Sequence, residues 1–149
     1  MKAITLHQPW ATLIALGEKR FETRSWATKY RGPIAIHAAK KVDKEICQQE
    51  PFRSVLAKHG YTADNLPTGA VVAKCQLVDC HQIISTGYDA ATLYAVGIPK
   101  VRDNEFAFGW YKAGRYAWEM ADVKPIDPVP AKGQQGLWNW GGERDASRT

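Results

Sequence analysis

The stretch TLHQPWATLIALGEKRFETRSW, residues 5–26, decides the fold of this chain because it joins a short apolar helix to a highly charged strand. Pro9 can open the helix, since the first helical position needs no backbone N–H donor. Gly17 can end it, since glycine readily adopts the left-handed conformation found after helices. The residues between them are mostly apolar and have helical spacing. We therefore predict a helix over 9–17, directly followed by a strand over 20–26.

The predicted strand carries its charges on one face. Because side chains alternate between the two faces of a strand, Phe21, Thr23 and Ser25 share one face. The other face carries Arg20, Glu22, Arg24 and Trp26. A solvent-exposed face could also carry three charges, but a tryptophan beside them, directly after a helix end, favours a lined cleft. We therefore expect the functional site at this junction.

Three segments of the chain resemble the ASCH family of small PUA-like proteins. The first, GEKRFETR at 17–24, has the form G-x-K-x-x-E-x-R and follows LHQPWATLI. The others are GRYAWEM at 114–120 and GQQGLW at 133–138. The resemblance covers roughly residues 3–140. It implies an α+β, β-rich fold, a PUA-like mixed β-barrel with flanking helices, and an RNA- or nucleoside-handling cleft beside the Lys-Glu-Arg strand.

One branch of this family consists of amidohydrolases that remove acyl groups from N4 of acylated cytidine, using a lysine, a threonine and a glutamate. The resemblance implies Lys19 as the lysine. This chain departs from the branch at the next position, since Glu22 stands where the threonine is expected and Thr23 is turned to the opposite strand face. Water activated by a carboxylate is therefore the expected chemistry. The third residue is Glu105 or Glu119, and chain order favours Glu105.

The resemblance leaves two functions open. The first is a metal-independent amidohydrolase of N4-acylated cytidine-type nucleosides, with Lys19, Glu22 and Glu105 as catalytic residues. The second is a non-catalytic RNA-binding module. A ribonuclease is a weaker third hypothesis, because the sequence shows no histidine pair or metal cluster. In each case we expect a small-molecule nucleoside or RNA as partner, no cofactor, no metal and no obligate protein partner.

Lys19 is the candidate general base or nucleophile. Partial burial and the positive charges of Arg20 and Arg24 should lower its pKa, and a lysine so tuned can act near neutral pH. The alternative is a cation that interacts with the helix C-terminus. We expect Lys19→Ala to leave the fold intact, as for an exposed or cleft side chain.

Nearby basic and aromatic side chains are candidates for substrate or nucleic-acid binding. The guanidinium of Arg24 can bind a phosphate or a carbonyl in a bidentate manner, and Trp26 shares the charged face and can stack on a base. The further candidates are Arg20, Tyr30 and His37. Histidines such as His37 more often have a structural role. Trp118 is expected in the core.

The positive charge of the chain is concentrated in its first part. The net charge is +5, and residues 1–41 hold eight Lys/Arg against two acidic residues. Such a local field attracts phosphates, although a solvated basic edge is the alternative. No segment reaches the roughly 18–20 apolar residues that span a bilayer. The three cysteines predict neither a disulfide scaffold nor a zinc site. We expect a cytoplasmic protein without membrane contact.

The rest of the chain predicts more strands than helices, in an order that favours a mixed barrel over an alternating α/β fold. We predict a single domain over 1–140 and a polar, disordered tail over 141–149. The further predicted elements are strand 2–6, strand 33–39, a helix capped by Asp43 that runs to about 58 and is kinked or divided at Pro51, a bent strand 70–84, a helix 89–96, a loop 97–105, strand 115–126, an extended segment 125–132 and a closing segment 133–140.

Overall fold

The computed structural model describes residues 1–95 and 97–142 of the chain. The described residues form eight strands and four helices. In chain order these are β1 (Lys2–Gln8), α1 (Trp10–Ala15), β2 (Phe21–Arg24), β3 (Gly32–Val42), α2 (Lys44–Cys47), α3 (Phe52–Lys58), β4 (Ala70–Thr86), β5 (Ala90–Leu93), β6 (Val101–Arg102), α4 (Asp103–Ala107), β7 (Tyr116–Pro130) and β8 (Trp138–Asn139). None of the described helices is both long enough and apolar enough to cross a membrane.

The strands form a β-rich α+β fold around one strongly bent sheet. Its order is β2-β7-β4-β3-β1-β8, and β5 and β6 extend from the end of β4. β1 and β3 are parallel, whereas the other pairs are antiparallel. The ladder between β4 and β7 has three register shifts, and such bulges bend and twist a sheet. The long bent strand predicted over 70–84 is thereby confirmed.

The predicted barrel has an open seam. In the described part of the chain, β2 and β8 are the ends of the hydrogen-bonded strand order, so the ladder does not close into a ring. A side chain bridges the gap instead: Arg24 Nη2 at the end of β2 donates to the backbone oxygen of Thr5 in β1, at 2.8 Å. Since β8 pairs only with Lys2 and Ala3 of β1, the later part of β1 borders the gap, and we call this junction of β1 with β2 the seam.

The core explains why these elements fold together. The inner face of β7 contributes Trp118 and Met120, which are buried against α1 and the apolar residues of β1, β3 and β4. This confirms Trp118 as a core residue. A second cluster joins Leu13 of α1 to α3 and to Phe108, which follows α4. The short helix α1 thus contributes to both clusters.

The predicted helices form in part. The helix expected over 9–17 covers only Trp10–Ala15, and Gly17 follows it with a φ of +75°. The helix expected from Asp43 to 58 is divided at Pro51 into α2 and α3. The Asp43 carboxylate caps α2 by accepting a hydrogen bond from Ile46 N at 3.0 Å, as predicted.

The predictions for the region 89–105 are wrong in the described residues. The segment expected to be helical instead forms β5, in which Ala91 and Leu93 are buried against Phe21 and Ile83. Alanine-rich sequence favours a helix locally, but packing onto β4 decides the outcome. The expected loop 97–105 contains β6 and the start of α4. Residue 96 and most of the predicted tail, residues 143–149, lie outside the described residues.

The loop before β8 packs closely on β1 and β3, and this contact can be tested. A Cβ at Gly133 would lie 2.6 Å from His37 Cε1 and 2.8 Å from Thr5 Oγ1. Both neighbours are held, His37 by Ala131 O and Thr5 by the indole N–H of Trp138. We expect Gly133→Ala to lower the free energy of unfolding by about 1–3 kcal/mol, as overpacking does.

Chemical denaturation of Gly133→Ala beside Gly87→Ala measures this effect. A Cβ at Gly87 would lie 3.6 Å from Ala90 O, an ordinary contact, so this control should unfold like the wild type. Equal stability of the two variants would contradict the close packing at Gly133.

Candidate functional site

The free edge of β2 is closed by charged side chains. Backbone groups on an edge strand need partners other than a neighbouring strand. The Glu105 carboxyl group accepts hydrogen bonds from Arg20 N at 2.6 Å and from Phe21 N at 3.4 Å. Lys19 Nζ donates to Phe21 O. Two residues that the sequence marks as catalytic candidates therefore hold the strand that carries the site.

Lys19 is buried, and this corrects one expectation. The whole residue is 1% exposed, and its Nζ lies 4.0 Å from Glu22 Oε1. Burial lowers the pKa of Lys19, partly opposed by the charges of Glu22 and Glu105, while Arg24 lowers it further. The predicted direction is right, but desolvation is the main cause. The expectation of an exposed or cleft lysine is wrong. We therefore expect Lys19→Ala to destabilise the fold, because it removes a buried side chain and the donor to Phe21 O.

Glu22 and Arg24 of β2 form an ion pair. Arg24 Nε donates to Glu22 Oε2 at 3.1 Å, and Arg24 Nη2 lies 3.0 Å from the same oxygen. The side chain of Glu22 is 11% exposed and that of Arg24 is 25% exposed. Because Arg24 also binds Thr5 O across the seam, the carboxylate is held in place.

A cleft of about 640 Å³ opens at the seam between β1 and β2. Its walls come from four parts of the chain: β1 with α1, β2 with the residues that follow it, α2 with α3, and the end of α4 with the segment that leads to β7. The lining residues in that order are Thr5, Leu6, His7 and Trp10, then Glu22, Thr23, Arg24, Ser25 and Trp26, then Ile46 and Phe52, then Ala107, Phe108, Gly109, Trp110 and Arg115.

One wall of the cleft contains an exposed tryptophan that Thr23 and Arg115 hold in place. Trp110 is 64% exposed. Its backbone N–H donates to Thr23 Oγ1, and its carbonyl accepts from Arg115 Nε, both at 2.9 Å. The Arg115 guanidinium carbon lies 4.1 Å from the centre of the indole ring, a cation–π contact. Burial lowers the pKa of Arg115, while the charge of Glu22 opposes that shift.

A second tryptophan lines the same cleft. Trp26 is 37% exposed, and its ring meets Trp118 edge to face at 4.7 Å between centroids. The indole N–H of Trp118 donates to the backbone oxygen of Trp26 at 3.2 Å. A core residue thus sets the position of this aromatic surface.

Three predicted binding residues do not line the cleft. The guanidinium of Arg20 lies over the ring of Phe21, at 4.7 Å. Tyr30 donates its hydroxyl hydrogen to Pro33 O at 2.5 Å. His37 is buried against Trp138, with its Nε2 2.7 Å from Ala131 O. The structure therefore separates these three side chains from Glu22, Arg24 and Trp26.

The two candidate glutamates lie in different surroundings. Glu105 lies within electrostatic reach of Lys19, and burial raises its pKa, partly opposed by Lys19 and by the N–H groups of residues 20 and 21. Glu119 instead lies 2.8 Å from His81 Nε2. Of the two glutamates, Glu105 is therefore the one that lies near Lys19.

Sequence reasoning missed the Arg115 side of the cleft. Arg115 N donates to Lys112 O at 3.0 Å, which forms a turn around Gly114 with a φ of +90°. A turn of this kind brings its flanking residues back together, so the string WYKAGR could have indicated that Trp110 and Arg115 are neighbours. In residues 1–95 and 97–142, no three metal-ligating side chains gather into a group.

Comparison with known proteins gives matches of sequence and of fold. The sequence pattern of the ASCH domain matches residues 4–130. Activating signal cointegrator 1 is 36% identical to the chain over 80 residues in human and 35% identical over 80 residues in mouse. Each match covers 52% of this chain and only 14% of the relative, so the chain spans a small part of the curated relatives it matches.

A solved structure of ASCH from Zymomonas mobilis superposes with a TM-score of 0.54. The superposition covers 99% of this chain and 92% of that chain, at 13% identity. At this identity the likeness concerns the fold alone.

The buried cation predicts a pH dependence of stability. The unfolded chain has the ordinary lysine pKa of 10.5, whereas the folded value of Lys19 lies below it. Between these two values the unfolded chain binds more protons, so the free energy of unfolding rises with pH. We expect the wild type to gain stability relative to Lys19→Met as pH rises toward 10.5.

Urea denaturation of both proteins at several pH values up to 10.5 measures the difference between their free energies of unfolding. The contributions of other titrating groups cancel in that difference. A difference between wild type and variant that stays constant with pH would contradict the lowered pKa of Lys19.

Proposed function

This chain belongs to the ASCH domain family, and on that premise we propose that its cleft binds a nucleoside unit of single-stranded RNA. The observation that carries the proposal is the exposed Trp110 ring, fixed by Thr23 and Arg115, in the same cleft as Trp26 and Arg24. A cleft of about 640 Å³ suits one nucleoside with its flanking phosphates.

The two tryptophans support base stacking. Stacking of a base on an aromatic side chain contributes about 1–3 kcal/mol and tolerates any base. Trp26 is held through Trp118, and Trp110 is held through Thr23 and Arg115. Since both rings are fixed before a ligand arrives, little conformational entropy is lost on binding.

The two arginines support phosphate binding. Arg24 and Arg115 both line the cleft, and their guanidinium charges attract phosphate oxygens. Arg24 comes from the segment 1–41, which holds eight basic and two acidic residues. A positive field of this kind attracts a polyanionic chain.

The stacking role can be measured with labelled single-stranded oligoribonucleotides. We expect Trp110→Ala to weaken binding by about 10- to 100-fold, which corresponds to the loss of one stacked base. Trp26→Ala should have an effect of similar size. Fluorescence anisotropy at fixed salt gives the dissociation constants.

Tyr94→Ala is the matched control, since this exposed tyrosine does not line the cleft. It should bind like the wild type. Loss of affinity in Tyr94→Ala but not in Trp110→Ala would place the binding surface elsewhere and contradict the proposal.

A second candidate function is hydrolysis of N4-acylated cytidine-type nucleosides. The observation that favours it is the buried Lys19 ammonium 4.0 Å from Glu22, a residue that lines the cleft. In this reaction Glu22 takes a proton from water, the water oxygen attacks the acyl carbon, and the carbon–nitrogen bond breaks. The proton then passes to N4, which releases a carboxylic acid and the cytidine.

Incubation with N4-acetylcytidine tests this candidate. We expect Glu22→Gln to lower the hydrolysis rate at least about 100-fold, since a general base supplies about 10²–10⁴-fold. Glu45→Gln, an exposed change of equal charge, should retain the wild-type rate. Wild-type protein that releases no acetate would contradict the hydrolase and leave the binding proposal in place.

A further inference from the structure

The two carboxylate oxygens of Glu22 are used differently. Oε2 accepts a hydrogen bond from Arg24 Nε at 3.1 Å and lies 3.0 Å from Arg24 Nη2. Oε1 receives no hydrogen bond from the residues that the structure describes. Lys19 Nζ lies 4.0 Å from Oε1, beyond hydrogen-bond distance, and donates to Phe21 O instead. A residue that lines the cleft therefore keeps one acceptor atom without a hydrogen bond.

The open oxygen is held in a defined position. Arg24 binds Glu22 on one side and Thr5 O at 2.8 Å on the other, so it anchors the carboxylate to both strands of the seam. The side chain of Glu22 is 11% exposed, and it lines the same cleft as Trp26 and Trp110. A base stacked on either tryptophan would bring its edge into the cleft that Glu22 lines.

An ionised carboxylate accepts hydrogen bonds and donates none, so it distinguishes base edges by their donors. Cytosine and adenine each present an exocyclic amino group, and guanine also carries an amino donor. Uracil presents a single N–H between two carbonyl oxygens, whose lone pairs repel an approaching carboxylate.

We infer that Glu22 makes the cleft selective for amino-bearing bases and that uracil is the base it rejects. The inference rests on the proposed binding function and names the class of base that the same site takes. Arg24 acts here as a positioning residue, since it holds the carboxylate that meets the base.

Binding of oligocytidine, oligoadenosine and oligouridine of equal length tests the inference. We expect the wild type to bind the first two at least about 10-fold more tightly than oligouridine, in the range of one specific base contact. Glu22→Gln should abolish this ratio, because an amide both donates and accepts. Glu45→Gln, which changes the net charge equally at an exposed position, should keep the ratio.

The experiment compares the ratio of affinities for these oligomers rather than a single affinity. Loss of a negative charge strengthens the binding of every phosphate chain alike, so it leaves the ratio unchanged. Equal wild-type affinity for the three oligomers would overturn the inference and leave the proposed function standing, as would a ratio that Glu22→Gln does not change. Binding of none of the oligomers would overturn the proposed function and the inference with it.

A change in the ligand tests the same contact without any protein variant. Oligomers of purine riboside lack the amino group of adenosine and add no bulk. The wild type should bind them about 10-fold more weakly than oligoadenosine, since one base donor is lost. Equal affinity for the two oligomers would overturn the inference even if Glu22→Gln did not fold.

Discussion

The free edge of β2 is closed by two side chains of opposite charge, and the rest of the site depends on that closure. Glu105 accepts from the N–H groups at the start of the strand, and Lys19 donates to Phe21 O. A buried charge must have such partners, because an unpaired ion in the interior costs several kcal/mol. The same two groups thereby hold the start of the strand, directly before Glu22.

The closure also explains why a cleft exists beside β2. Because the edge is satisfied by side chains, no further strand is needed there, and the sheet can stop short of a closed ring. Arg24 then bridges the remaining seam to β1. The hydrogen bonds of Glu105 to residues 20 and 21 fix α4 beside β2. The segment that follows α4 brings Trp110 to the cleft, where Thr23 Oγ1 accepts a hydrogen bond from its backbone N–H.

The fold and the proposed site therefore share the same residues. Lys19 is a buried cation with a lowered pKa, beside one carboxylate that caps the strand and another that lines the cleft. A residue in this position cannot be altered for binding or chemistry without an effect on the fold. For that reason Lys19→Met, which keeps the buried volume, separates the two roles better than Lys19→Ala. The second cleft wall is less constrained, since Trp110 is largely exposed and contributes little to the core.

The sequence by itself determined the local part of this design: the helix that ends before Gly17, the cap at Asp43 and the long strand from residue 70. Each depends on neighbours within a few residues, which short-range spacing and backbone preferences report. Only the tertiary structure decided which distant side chains meet. Glu105 reaches β2 across 85 positions, and Trp110 reaches Thr23 across 87. Tertiary packing also makes the alanine-rich segment at residue 90 a strand. His37 packs on Trp138 and therefore does not line the cleft. Burial gained by long-range packing exceeds the small energies of local preference, and no local pattern encodes it.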